Sequence, residues 1–369
     1  MSAGDEKFMR IALSLGRRNL GNTAENPSVG CVIVAGESAH VVGRGWTARG
    51  GRPHAETAAL ERAGEKAAGA TAYVTLEPCA HTGKTPPCAD ALVDAGIARV
   101  VVAATDPDPR VGGRGLERLR QAGVAVDTGT LADEARRDLA GFLSRIERGR
   151  PEVTLKLAVS ADGKIASAPG NTTAITGAAA KSRGHLIRAR SDAILVGRGT
   201  VLADDPSLTC RLPGLEERSP VRVVLDTALA LPLDSALVAT AGDVPVWVFC
   251  VEGASEDKAQ ALANAGVEVI PIDKDAAGRP DIGAVLRHLA GRGINTVMVE
   301  GGAEIARTLV AGDLVDHVAL FRSSATVGVE GVDALGDIPL DAIVSSPQFA
   351  AAGSETCGED RLDWYARNE

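Results

Sequence analysis

Through the first 150 residues, short apolar runs rich in β-branched residues alternate with segments whose apolar positions recur every three or four residues. EKFMRIALSLGRR (6–18) puts Phe8, Ala12 and Leu15 on one helical face. VGCVIVA (29–35) and AHVVGRG (39–45) predict strands, and HAETAALERAG (54–64) predicts a helix stopped by Gly64. Next come the strand ATAYVTLEP (70–78), the helix CADALVDAG (88–96), the strand ARVVVAATDP (98–107) and the helix GLERLRQAG (115–123). Strands and helices that alternate at these lengths imply an α/β unit, a largely parallel sheet covered on both faces. LADEARRDLAGFLSRIERG (131–149) reads as one long amphipathic helix, and Pro151 after Gly149 marks its stop and the domain boundary.

The second half restarts with EVTLKLAVSADGKIA (152–166), a long strand with a turn or bulge at Ala161-Asp162-Gly163. GAAAKSRGHLIRARS (177–191) follows as a helix. DAILVGRGTV (192–201), VRVVLD (221–226), PVWVFC (245–250) and VEVIPI (267–272) follow as strands. GINTVMVEGGAEIARTLVAG (293–312) reads as strand, glycine turn and helix, and the stretch from 316 onward as antiparallel edge strands. The expected organisation is two α/β domains, 1–148 and 149–369, without internal repeats.

Composition narrows the function classes. A net charge of −9 weighs against nucleic-acid binding, which calls for a basic face. The longest apolar runs are too short to span a bilayer, and the N-terminus lacks the basic start and apolar run of a secretory signal. A cytoplasmic location is therefore expected. Six cysteines in 369 residues make no disulfide framework, and Cys31, Cys210, Cys250 and Cys357 are expected to be small buried hydrophobes.

Cys79 and Cys88 stand apart because of their neighbours. They bound EPCAHTGKTPPC (77–88), whose Gly-Lys-Thr imitates the end of a nucleotide P-loop. A P-loop needs glycine at position 78, and Pro78 both lacks a backbone donor and fixes φ, so that motif is excluded. About twenty residues earlier lies His54-Ala55-Glu56. A zinc deaminase needs three protein ligands, a fourth position for water, and a carboxylate beside the metal that is not itself a ligand. His54, Cys79 and Cys88 with Glu56 supply that inventory, each ligand near the predicted start of a helix or the end of a strand. His81 is the rival fourth ligand of a closed structural site. Eight residues separate the two cysteines, and the intervening cation and hydroxyl, Lys84 and Thr85, suit a phosphate on a small substrate. The rival functions are a nucleic-acid deaminase of the tRNA type with an unrelated appended domain, and a non-catalytic zinc scaffold.

NPSVGCVIV, GGRPHAE, VTLEPCAHTGKTPPC and DPDPRVGGRGLERLRQAG resemble the bifunctional deaminase/reductase family of bacterial riboflavin biosynthesis. LKLAVSADGKIA, ILVGRGTVLADDPSLTCR and VEGGAEIA extend the resemblance, in order, over nearly the whole chain. It implies a cytidine-deaminase-like three-layer α/β/α domain followed by a dihydrofolate-reductase-like α/β domain that uses NADPH. The implied reactions are removal of the 2-amino group of 2,5-diamino-6-ribosylamino-4(3H)-pyrimidinone 5′-phosphate, then reduction of its ribosyl group to ribityl. The implied zinc ligands are His54, Cys79 and Cys88, Glu56 is the proton shuttle, and Asn26, His81 and Lys84 contact the first substrate.

In the second domain the resemblance assigns the cofactor to Ala158, Ala174, Thr200, Asp204, Thr227 and the turn Gly302, Ala303, Glu304. It assigns the second substrate to Thr172, Arg188, Leu208, Arg211 and Glu300. Lys156, a cation on an otherwise apolar strand, either acts on substrate or reaches solvent, and the proton donor is open among Lys156, Asp204 and Glu300. Thr47 stands where many members carry histidine, and Ala174 where tryptophan is common, which weakens both contacts. A homo-oligomer is expected.

Overall fold

The computed structural model describes residues 3–36, 39–82, 86–108 and 111–368, and the chain divides into two compact units, Met1–Arg150 and Pro151–Glu369. The first unit contains, in chain order, α1 (Ala3–Gly16), β1 (Gly30–Ala35), β2 (His40–Trp46), α2 (Ala55–Ala63), β3 (Thr71–Leu76), α3 (Cys88–Asp94), β4 (Arg99–Ala104), α4 (Arg114–Gln121), β5 (Ala125–Thr128), α5 (Ala132–Asp138) and α6 (Ala140–Arg148). Its five strands lie in the order β2-β1-β3-β4-β5. β1, β3 and β4 are buried at successive positions, so helices cover both faces of the sheet and make three layers.

Two expectations for this unit need correction. β1 pairs antiparallel with both β2 and β3, so only β3, β4 and β5 run parallel. The link from β1 to β2 is too short for a crossover, which forces the chain to return antiparallel. The single helix expected over 131–149 is two, α5 and α6, broken at Leu139, whose backbone turns to φ −100°, ψ 4°. The break lets Ala135, Leu139, Phe142 and Leu143 all reach the core. At the start of the unit, buried Asp5 accepts from the Tyr73 hydroxyl at 3.0 Å and from Arg99 at 2.8 Å, which ties α1 to β3 and β4.

The second unit contains β6 (Glu152–Val159), β7 (Lys164–Ala166), α7 (Ala178–Arg188), β8 (Ala193–Gly197), α8 (Arg198–Asp204), β9 (Val221–Leu225), α9 (Ala236–Ala239), β10 (Val246–Val251), α10 (Glu256–Asn264), β11 (Glu268–Ile272), α11 (Ile282–Gly291), β12 (Thr296–Val299), α12 (Ala303–Ala311), β13 (His317–Arg322), β14 (Val332–Asp333), α13 (Asp341–Val344), β15 (Phe349–Cys357) and β16 (Asp360–Arg367). Nine strands form one sheet, ordered β11-β10-β9-β8-β12-β6-β13-β16-β15.

Three boundaries differ from the sequence reading. β13 is an interior strand parallel to β6, and only β16 and β15 form the antiparallel edge. The strand expected over 152–166 ends at Val159, and β7 leaves the sheet to pair with β14. The strand expected over 192–201 stops at Gly197, because Arg198 opens α8 and Val201 is buried in the core from that helix. A Cβ on Gly197 would lie 2.8 Å from Ile305 Cδ1, so glycine lets the chain turn directly against α12.

Candidate metal centre and reductase cleft

In the first unit the turn into α2, the end of β3 and the start of α3 converge. His54 is the N-cap residue of α2, Cys88 is the first residue of α3, and Cys79 lies three residues beyond β3. α2 can lie this close to the sheet because position 45 of β2 has no side chain, where a Cβ would sit 2.1 Å from the Ala55 carbonyl oxygen. One ligand atom from each of His54, Cys79 and Cys88 lies within 4.8 Å of the others, and this is the group of that kind among the described residues. His81 is not a member of it.

His54 Nδ1 is 3.3 Å from Cys88 Sγ and 3.8 Å from Cys79 Sγ, and the Cys88 amide donates to Cys79 Sγ at 3.3 Å. The Cys88 thiol's hydrogen bond, against the opposing effect of burial and with help from His54, draws Cys79 down to about 4. The same bond, reinforced by burial, pushes Cys88 up, and the bond to Cys79 raises His54. Three soft or borderline donors thus crowd one point with only protons to share, and a thiolate is favoured among them. That donor set fits a tetrahedral zinc site with three protein ligands.

Glu56 follows on the first turn of α2 and is 4% exposed. Burial, partly offset by His54, pushes its carboxyl up to about 7. It is a buried carboxyl beside the ligand group but outside it.

A cavity of about 380 Å³ opens onto this group and is lined by His54, Glu56 and Cys79 together with Asn26 and His81. Asn26 is held under the loop that precedes α2: Gly51, at φ +89°, would carry a Cβ only 2.1 Å from Asn26 Nδ2. The His81 Nδ1 and His54 Nε2 atoms are buried without a hydrogen-bond partner among the described residues. Lys84 and Thr85 lie outside the described residues. Thr47 lines the same cavity, but its hydroxyl accepts from the Val29 amide and donates to the Pro27 carbonyl, both at 2.9 Å, so it braces the wall.

Other walls escaped the sequence reading, above all Glu77, Asp106 and Asp108. Glu77 is 3% exposed, and its carboxylate accepts from the amides of Gly115 at 3.0 Å, Gly113 at 3.1 Å, and Asp106 and Leu116 at 3.3 Å. It thereby fixes the Pro78-Cys79 turn to the start of α4. The only available signal was an acidic residue directly before Pro-Cys, and its partners lie about thirty to forty residues downstream.

In the second unit a cleft of about 650 Å³ runs along the carboxyl ends of β6, β8 and β12. It gathers Lys156, Ala158, Thr172, Ala174, Thr200 and Asp204, as well as Glu300, Gly302, Ala303 and Glu304. Backbone approach is close here, since a Cβ on Gly301 would lie 2.9 Å from Ile305 Cβ. The helix α12 starts at this edge, an arrangement suited to the phosphates of a dinucleotide. The Thr172 hydroxyl donates to the Ala203 carbonyl at 3.0 Å and pairs with Asp204.

Glu300 joins the two cations: Arg188 donates to its Oε1 at 2.9 Å, and Lys156 Nζ is 4.0 Å from Oε2. Burial alone would raise the Glu300 carboxyl, but Lys156 and Arg188 outweigh it and hold it below the ordinary value. Arg188 also donates to the Thr209 carbonyl at 2.7 Å.

Four assigned residues lie outside this cleft's lining. Arg188 is buried behind it and reaches it through Glu300. Thr227 lines a smaller cavity beside it, Leu208 is buried in the core, and Arg211 is exposed and hydrogen-bonded to Ser207.

Residues 2–104 match the family model for the cytidine and deoxycytidylate deaminase zinc-binding region, and residues 151–362 match the RibD C-terminal domain. The riboflavin biosynthesis protein RibD of Aquifex aeolicus is 39% identical over 98% of both chains. That of Escherichia coli is 41% identical over 94% of both chains. Among solved structures, Acinetobacter baumannii RibD superposes with a TM-score of 0.87 at 35% identity, covering 99% of each chain. The diaminohydroxyphosphoribosylaminopyrimidine deaminase/5-amino-6-(5-phosphoribosylamino)uracil reductase of Thermotoga maritima does so with 0.84 at 34% identity, again over 99% of each. A zinc-type deaminase unit followed by a RibD-type reductase unit, matched end to end by whole relatives, makes this chain a member of the RibD family of bifunctional riboflavin-biosynthesis enzymes.

Proposed function

We propose that residues 1–148 deaminate 2,5-diamino-6-ribosylamino-4(3H)-pyrimidinone 5′-phosphate and that residues 149–369 reduce the ribosyl group of the product with NADPH. The observation that carries this reading is the buried Glu56 carboxyl beside the converging His54, Cys79 and Cys88 donors. These three residues hold zinc, whose chemistry when bound is to activate water near neutral pH. Glu56 takes a proton from the attacking water on a carboxylate oxygen and returns it to the departing ammonia; its raised affinity for protons suits both halves of that transfer. Asn26 and His81 orient the pyrimidine, and Lys84 and Thr85 meet its phosphate.

In the reductase cleft, NADPH when bound supplies hydride, delivered to the sugar C1′. Ala158, Ala174, Thr200, Asp204 and Thr227, with the turn Gly302, Ala303 and Glu304, hold the cofactor. Arg188 and Arg211 hold the substrate phosphate, Thr172 and Leu208 contact the sugar, and Glu300 and Lys156 orient its polar groups. The Lys156–Glu300–Arg188 cluster is already charged and ordered, which is what orientation of an open-chain sugar against a nicotinamide requires. The partner is a phosphorylated pyrimidine and not a nucleic acid. We further propose a cytoplasmic homo-oligomer; no described helix is long and apolar enough to cross a membrane.

The test is to incubate the purified protein with the diaminopyrimidine phosphate, with and without NADPH, and to weigh the products. Ammonia release without NADPH, and a further gain of two hydrogens with it, are expected. No turnover of this compound would overturn the assignment.

A further inference from the structure

Beside the main cleft lies a second cavity of about 270 Å³, and the two share Gly197, Gly199, Glu304 and Ile305 as walls. The smaller one is therefore a neighbouring end of the same cleft. Its lining includes Thr227, just past β9, and the charged residues Arg198, Arg279, Asp275 and Glu304.

Its charges divide unequally. Asp275 accepts from Arg279 Nε at 3.0 Å and Nη2 at 2.9 Å, and Glu304 pairs with the same guanidinium through Nη1. Arg279 is thus engaged by both acids. Arg198, exposed on the first turn of α8, makes no hydrogen bond or ion pair with a described residue. An arginine without a partner among the described residues, lining a concave site beside a cleft suited to a dinucleotide, is the kind of group that selects a phosphate.

The complementary device for an unphosphorylated ribose is a carboxylate at the end of a strand, where it accepts from the 2′-hydroxyl. Asp226 occupies such a position at the end of β9, but it is 1% exposed and its Oδ2 accepts from the Leu231 amide at 2.7 Å. It is turned into the protein and out of reach of a ribose.

We infer that Arg198 holds the 2′-phosphate on the adenosine half of the cofactor and sets the preference for a 2′-phosphorylated dinucleotide. The inference rests on the NADPH reading of the cleft and adds a residue to it. Arg279 acts differently, by neutralising Glu304 so that its carboxylate does not repel the cofactor's phosphates.

Isothermal titration of the full-length protein with NADPH, NADH and 2′,5′-ADP tests it without any turnover. The wild type is expected to bind the two 2′-phosphorylated ligands more tightly than NADH. Arg198→Ala should weaken NADPH and 2′,5′-ADP by about 10- to 100-fold, as for loss of a hydrogen bond to a charged group, and leave NADH within about twofold. Arg198→Lys should restore part of the loss. Equal weakening of NADPH and NADH, or no change in either, would overturn the role of Arg198 alone. A wild type that binds neither NADPH nor 2′,5′-ADP would overturn the cofactor reading as well.

Discussion

Glu56 combines two properties that conflict on an ordinary helix surface: it is buried, and it remains within reach of titratable neighbours. Replacement by glutamine keeps the shape but removes the titratable carboxyl that can take up and give back a proton. Glu56→Gln is expected to lower ammonia release by at least ~100-fold while zinc content stays at the wild-type level, as read by metal analysis. Retained deamination would remove Glu56 from the proton transfer.

Glu77 touches no ligand atom, yet all four of its hydrogen-bonded amides hold the turn that presents Cys79. Glu77→Gln replaces acceptors by a donor facing amides. Zinc affinity, measured by competition with a chelator, should fall about 10- to 100-fold, in keeping with other residues that orient ligands. His54, Cys79, Cys88 and Glu56 were legible in the sequence because the chemistry demands those residue types at short spacings. Glu77 was not, since a carboxylate that serves backbone amides leaves no pattern in residue types.

At the scale of elements, the alternation of strand and helix was legible wherever apolar period and turn residues agreed. It failed where burial came from a partner distant in the chain. β13 reads as an edge strand but lies between β6 and β16, and the helix over 131–149 bends at Leu139 to bring both halves to the core. The β6–β13 pair also carries a pH-dependent contact. The His317 side chain is 36% exposed, and its Nε2 lies 2.7 Å from Glu152 Oε1. Burial lowers the imidazole's affinity for protons, but the Glu152 bond outweighs it and the net shift is upward.

A raised folded-state value means that the pair's stabilisation is complete below the unfolded value of about 6.5 and fades as pH rises through the folded one. Wild type should therefore exceed His317→Gln in urea midpoint at pH 5.5 and lose that advantage by pH 8.5, a gap of at most about 1 kcal/mol for so exposed a pair. A gap that widened with pH would contradict this account.

For the whole molecule, two hydrophobic systems underlie two chemistries. The first unit's core is one cluster, and the second unit's three clusters share no residue with it. Removing the metal should accordingly touch one activity. After exhaustive chelation, deamination is expected to vanish while reduction of the already deaminated substrate by NADPH persists, followed as loss of nicotinamide absorbance. Restoring zinc should return the first activity.

The sequence by itself determined the α/β class and singled out His54, Cys79, Cys88 and Glu56 as the candidate centre, because periodicity and ligand chemistry are written in residue types at fixed spacing. It also carried the resemblance that the end-to-end relatives bear out. Only the tertiary structure decided strand order, the bracing role of Thr47 and the amide-bound Glu77. It likewise decided that Arg279 is occupied by two acids while Arg198 beside it is not. Pairing, burial and neutralisation depend on which distant residues meet, and no local pattern records that meeting.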